Sequence, residues 1–198
     1  MTGRVVNPDR YRRMPWKNGG GETIEIAIFP SGAGLDDFGW RISTATVASD
    51  GPFSIFEGID RTLCVLSGSG ISLAVDDAEA LALDPDSPPF SFPADAPAVA
   101  RLIGGPIVDL NVMTRRCAWR HAVRRHRMEA GDTVALDAAA MQTIVFCRSG
   151  FVDADGGSGS MPLTSNATLI IEKGFGRWQL RANKPSVVFV ILIDPANG

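Results

Sequence analysis

Apolar and polar positions alternate along this chain in short runs, and Gly, Pro and Asp-Gly interrupt them. Successive side chains of a strand leave opposite faces, so a period of two marks half-buried strands. The pattern predicts strands over residues 23–29, 40–47, 61–66, 71–75, 106–113, 133–136, 142–147, 168–172, 178–181 and 186–193. Turn chemistry lies between them, as in Ser31-Gly32-Ala33-Gly34, Asp50-Gly51-Pro52 and the Asp155-Gly156-Gly157-Ser158-Gly159-Ser160 run. A single helical turn is expected, over 138–142. The fold class predicted is all-β.

An internal repeat sharpens this reading. Arg61-Thr62-Leu63-Cys64-Val65-Leu66 leads to Gly70, and Gln142-Thr143-Ile144-Val145-Phe146-Cys147 leads to Gly150. Pro106 and Pro185 each open a further apolar strand. Two similar β-modules in tandem account for this, with boundaries at 1–116 and 117–198 and a connector over 117–130. The modules differ on one strand face. Asp109, Asn111 and Met113 follow Pro106, whereas Val188, Val190 and Leu192 follow Pro185. A packed interior takes aliphatic side chains, and a ligand-binding interior takes a few polar ones. Either Asp109 and Asn111 face a cavity, or they face solvent and Val108, Leu110 and Val112 face the core. Alternation alone does not choose.

Composition narrows the class. The 198 residues are 45% hydrophobic and 21% charged, within the range of a folded globular protein. A net charge of -3 argues against nucleic acid as a partner. No apolar run approaches 18 residues and no signal-peptide pattern opens the chain, so no membrane partner and a cytoplasmic location are expected. Cys64, Cys117 and Cys147 lack CxxC spacing and form no disulfide framework on this reading. Charge is unevenly distributed, with six arginines between 115 and 127. Those arginines serve either as a patch for phosphate or RNA or as a solvated connector pairing with the acidic 76–95 region.

Candidate chemistry is as informative in what it lacks. His121 and His126 are the only histidines, too few for a transition-metal site built from β-barrel residues, and no GxSxG elbow is present. No metal and no cofactor are expected. A polar set remains in the first half. Trp16-Lys17-Asn18-Gly19-Gly20-Gly21-Glu22-Thr23 packs an aromatic, a cation, an amide and three glycines together. Thr23 and Glu25 share a strand face, with Ile24, Ile26 and Ile28 opposite. Arg41 and Ser43 share another, and Asp60-Arg61 opens a third strand. The bland account is a structural salt-bridge network. The sharper one is a pocket in which guanidinium forks hold a carboxylate, two N–H groups matching two oxygens.

These residues carry a family resemblance. Met14-Pro15-Trp16-Lys17-Asn18-Gly19-Gly20-Gly21-Glu22-Thr23 with Glu25, Phe38-Gly39-Trp40-Arg41-Ile42-Ser43 and Gly51-Pro52-Phe53-Ser54 resemble blocks of the HutD/Ves family. So do the segments 58–68 and 105–116, in the same order, while Phe92-Pro93-Ala94-Asp95 departs from the Gly-Asp often found there. The resemblance implies two cupin-like β-barrel modules in one chain, a bicupin of the RmlC-like jelly-roll kind without the metal-binding histidines. It implies an association with histidine utilisation and, as ligand, a small carboxylate such as formylglutamate or urocanate.

The leading expectation is a non-metal bicupin that binds such a metabolite in its first module, with a regulatory role in histidine catabolism. Lys17, Arg41 and Arg61 would supply positive charge, and Asn18, Thr23, Ser43 and Asn111 neutral hydrogen bonds. Glu25, Asp60 and Asp109 would orient the cations, and Trp16 and Met113 would wall the cavity. One alternative is a metal-independent isomerase, lyase or hydrolase with Glu25 or Asp109 as general base and Lys17 or Arg41 stabilising negative charge. No catalytic residue is assigned on the leading reading. A second alternative is an interaction module docking through Arg124 and Arg125. Pairing of edge strands would allow a homodimer.

Overall fold

The computed structural model describes residues 3–16, 21–157, 159–172 and 176–196. Its elements are strands and one 3-10 turn at Pro8–Arg10; the described residues contain no α-helix. In chain order the strands are β1 (Gly3–Val6), β2 (Arg12–Pro15), β3 (Gly21–Phe29), β4 (Trp40–Val47), β5 (Gly51–Pro52), β6 (Ile59–Ser67), β7 (Ile71–Val75), β8 (Leu81–Leu83) and β9 (Phe90–Pro93). They continue as β10 (Ala98–Leu102), β11 (Ile107–Arg115), β12 (Trp119–Met128), β13 (Thr133–Asp137), β14 (Gln142–Asp155), β15 (Ser160–Thr164), β16 (Thr168–Glu172) and β17 (Arg177–Pro195).

The chain divides into two compact units, one of residues 11–120 and one of residues 3–10 with 121–196. In the first, a six-stranded sheet runs β2-β3-β4-β11-β6-β9 and a four-stranded sheet runs β5-β10-β7-β8. In the second, one sheet runs β1-β16-β14-β17-β12, with β13 on β17 and β15 on β14. The strand pairings repeat. The path β4-β11-β6-β9 corresponds to β12-β17-β14-β16, and β5-β10-β7-β8 corresponds to β13-β17-β14-β15. Two long strands of the second unit therefore each do the work of two in the first.

That continuity explains one difference from the sequence reading, which broke β17 at Asn183-Lys184-Pro185. Proline cannot donate to a ladder and is accommodated at a bulge. Here the β14–β17 register slips between Ser149↔Val187 and Phe151↔Lys184, which leaves Pro185 outside the pairing. The bulged partner strand needs glycine at 150, where φ is +100° and a Cβ would lie 2.0 Å from Ser186 Oγ. Two further expectations are corrected. The arginine-rich stretch read as a connector is strand β12, whose charges alternate with half-buried residues at a sheet edge. The helical turn expected over 138–142 is a non-helical turn between β13 and β14.

The two units differ in what fills them. The second packs Val145, Cys147, Leu169, Ile171, Leu180, Val188 and Val190 into one apolar core. In the first, Leu63, Val65, Ile71, Leu73 and Ile107 form a core at one end of the inner face. Polar side chains take over along the rest of that face. All three cysteines are free, with Cys64 and Cys147 buried and Cys117 exposed.

Candidate functional site

The inner face of the six-stranded sheet follows from cross-strand register. Ala45, Ser43 and Arg41 of β4 lie opposite Asp109, Asn111 and Met113 of β11. On the other side of β11, Val65, Leu63 and Arg61 oppose the same three residues. Directly opposed residues project to the same face, so Arg41, Arg61, Asp109 and Asn111 converge. The small side chains of Ser43 and Ala45 leave room above them. A cavity of about 680 Å³ results, lined by Met14, Pro15, Trp16, Thr23, Leu35, Arg41, Ser43, Ala45, Val47, Pro52, Phe53, Ser54, Phe56, Arg61, Asp109, Asn111 and Met113. All of these belong to the first unit.

Two bulges set this arrangement. On β3 the pairing jumps from Glu25↔Ser43 to Ala27↔Ile42, so Ile26 is the extra residue. Beyond it the faces exchange: Ile28 opposes Arg41 and packs with Phe38, Ile59 and Met113. Simple alternation had put Ile28 on the opposite face from Glu25. On β6 the bulge falls between Val65 and Ser67 and keeps Val65, Leu63 and Arg61 facing inward.

Two guanidiniums meet in the cavity, each held differently. Arg41 Nε donates to Glu25 Oε2 at 2.8 Å, with both side chains at most 10% exposed. Among the described residues Arg41 makes no other hydrogen bond, so its two terminal nitrogens remain available to the cavity it lines. Arg61 donates from Nε to Asn111 Oδ1 at 2.8 Å and from Nη2 to the same oxygen. Asn111 Nδ2 in turn donates to Asp109 Oδ1 at 2.7 Å. The Arg61 guanidinium lies 4.3 Å from the centre of the Phe53 ring and 5.6 Å from that of Phe92. Burial pulls the Arg61 pKa down to about 10; Asp109 opposes that shift and Arg41 adds to it. Arg61 remains a cation at neutral pH.

Asp109 is the unusual member. It is 1% exposed, and its Oδ2 has no hydrogen-bond partner in the described structure. Burial raises its carboxyl pKa to about 6, with Arg61, the Asn111 amide and the Ala45 backbone N–H holding it lower than burial alone would. Aromatic side chains complete the lining. Trp16 Nε1 donates to Thr23 Oγ1 at 2.8 Å, which sets the indole, and Phe53 and Phe56 lie in the segment after β5. Because Phe53 covers a cation, Phe53→Leu is expected to cost about 1 kcal/mol of stability beyond lost area, read as a lower thermal midpoint.

Of the twelve residues singled out from sequence, Trp16, Thr23, Arg41, Ser43, Arg61, Asp109, Asn111 and Met113 line the cavity. Glu25 stands behind Arg41 as its partner. Asp60 is elsewhere. One residue before Arg61, it points to the opposite face and pairs with Arg116 at 2.7 Å on an exposed edge, where Arg116 also meets Asp95. Lys17 and Asn18 lie outside the described residues. The single network expected for Glu25, Arg41, Asp60 and Arg61 is thus three: Glu25 with Arg41, Asp60 with Arg116, and Arg61 with Asn111 and Asp109. Phe53, Phe56, Leu35 and Met14 were missed as wall residues. Gly51-Pro52-Phe53-Ser54 had been noted as a motif block, but an aromatic in a loop carries no periodic signal of where it points. Among the described residues no three His, Cys, Asp or Glu side chains gather as metal ligands, and no helix is long and apolar enough to cross a membrane.

Comparison with known proteins places these features in a family. The model of the family described as HutD matches residues 8–190. An uncharacterized 21.2 kDa protein in the hutC 3′ region of Pseudomonas putida is 38% identical over 153 residues, 76% of each chain. The protein Ves of Citrobacter koseri is 40% identical over 117 residues, 57% of this chain and 60% of that one. Among solved structures, the conserved protein of unknown function PA5104 from Pseudomonas aeruginosa PAO1 superposes with a TM-score of 0.89 at 33% identity, covering 98% of this chain and 100% of that one. HutD from Pseudomonas fluorescens SBW25, in a formate condition, gives 0.81 at 30% identity, covering 98% of both. The bacterial pirin YhhW of Escherichia coli gives 0.65 at 8% identity over 98% of this chain and 99% of that one, a likeness of fold and, with others of its kind, cupin-like.

Proposed function

The chain belongs to the HutD family, with its link to the histidine utilisation locus, and on that premise we propose that its first unit binds a small carboxylate metabolite in the polar cavity. The observation that carries the reading is the pair of buried guanidiniums in a cavity that also has aromatic and aliphatic walls. Arg41 is held through Nε alone, which leaves a two-pronged donor for a carboxylate. The aromatic wall suits the organic remainder of such a ligand. The contrast between units supports the same reading, because the residues equivalent to Asp109 and Asn111 in the second unit are core valines. The matching strand paths support a bicupin, two cupin-like modules in tandem, with the ligand in one of them.

Formate is the first probe, since the P. fluorescens relative was studied in a formate condition. Formylglutamate, urocanate and glutamate extend the panel, and a regulatory role in histidine catabolism follows if one of the pathway acids binds tightest. A ligand at 100 times its Kd adds about 2.7 kcal/mol of stability. For a chain of this length that is a rise of roughly 5–11 °C in Tm. Arg41→Ala is expected to weaken binding by about 10- to 100-fold, the worth of hydrogen bonds to a charged group. A panel without any shift, or an Arg41→Ala variant that binds as tightly as the parent, rules the reading out.

A further inference from the structure

Each cation in the cavity already has an anion beside it. Glu25 pairs with Arg41, and the charge of Asp109 acts on Arg61. An entering carboxylate therefore adds a negative charge for which no unmatched cation stands ready among the described residues that line the cavity. The groups facing Asp109 are few. Ala45 of β4 lies opposite it and offers a backbone N–H, Arg61 of β6 acts on its charge and Asn111 of β11 donates to it, while Arg41 and its partner Glu25 lie farther along the same face. Neither histidine lines the cavity.

We infer that the cavity takes up one proton with each carboxylate it binds, and that the proton resides on Asp109 Oδ2. This rests on the carboxylate-binding reading above. The choice between the two acids follows from their bonds. Protonating Glu25 would break a buried 2.8 Å ion pair. Protonating Asp109 breaks no ion pair: Oδ1 keeps the Asn111 amide, Oδ2 has no hydrogen-bond partner, and what is lost is the longer-range attraction to Arg61 and part of a backbone contact from Ala45. The proton comes from water or buffer, one O–H bond forms at Oδ2, and no other bond changes. Burial already holds this carboxyl near the neutral range, and a second negative charge nearby favours the neutral form further. The cavity then ends with two cations matched by Glu25 and the ligand.

The test is calorimetric titration of the full chain with formate, in Tris and in phosphate buffer at pH 7.5, with a pH series from 6 to 8. Formate stays ionised throughout. The expected result is close to one proton taken up per formate at pH 7.5, and affinity that falls about tenfold per pH unit above 6. Asp109→Asn, checked by its melting curve, is expected to lose both the uptake and the pH dependence. Formate binding equally tight at pH 6 and 8, with heats independent of buffer, overturns the coupling while leaving carboxylate binding intact. Uptake that persists in Asp109→Asn puts the proton elsewhere and overturns the assignment. No binding at pH 6, by either protein, overturns the carboxylate reading itself.

Discussion

Glu25→Ala is expected to destabilise the protein by about 3–5 kcal/mol, because it strands a buried guanidinium. Arg41 and Glu25 are 6% and 10% exposed at the side chain, and their contact is a direct 2.8 Å hydrogen bond. An exposed pair of the same length would contribute about 0–1 kcal/mol. The difference arises because removal of one partner leaves a charge with little water to replace it. The double variant Glu25→Ala, Arg41→Met is expected to recover a good part of the loss, since it removes the stranded charge as well. A double-mutant cycle by urea denaturation measures this directly. A single-variant loss below about 1 kcal/mol would mean that the cavity solvates Arg41 as well as bulk water does.

The second large effect has the opposite sign. Asp109→Asn is expected to stabilise the protein at pH 8. The carboxyl pKa is raised to about 6 in the folded chain, chiefly by burial, from the ordinary aspartate value of 3.8. Folding therefore favours the protonated form. As pH rises between about 4 and 6, the unfolded chain has lost this proton and the folded chain has not. Stability falls across that window by about 1.4 kcal/mol per pH unit, or about 3 kcal/mol in all. Above pH 6 the deficit is constant. Asparagine resembles the neutral acid in shape and charge and escapes the loss, so the gain at pH 8 is up to about 3 kcal/mol, or roughly 6–12 °C in Tm. At pH 4 the variant and parent should melt together. A variant less stable than the parent at pH 8 would show that the charge attraction between Asp109 and Arg61 outweighs the cost of burial. The same residue that would tie binding to a proton thus weakens the fold, a common relation between site and stability.

Much of the site was readable because its residues lie on strands whose period is local. Arg41 and Ser43 on one face, with Trp40 and Ile42 on the other, needs nothing beyond eight consecutive residues. The asymmetry between Asp109-Leu110-Asn111 and the valines after Pro185 was readable for the same reason, once the repeat aligned the two halves. Asp60 was grouped with Arg61 because they are adjacent, yet adjacency in a strand means opposite faces. Ile28 was misplaced because one inserted residue at Ile26 reverses every face after it, and a bulge has no composition of its own. The strands before 23, at 51–52, between 81 and 102, over 119–128 and over 160–164 carry no clear signal because they are short or charged, and alternation there is weak.

Taken alone, the chain determined the all-β class of structure and the residue types gathered in its first half. Those depend on contacts between near neighbours, which hydrophobic period and turn chemistry report. Tertiary structure decided which of those residues meet. Arg61 reaches Asn111 across 50 positions and Arg41 reaches Glu25 across 16. Both pairings follow from strand register, and register is set by bulges and by the packing of whole sheets. The unpartnered oxygen of Asp109 belongs to the same level. Whether a polar atom finds a partner depends on every surface that closes around it, and no stretch of sequence contains them all.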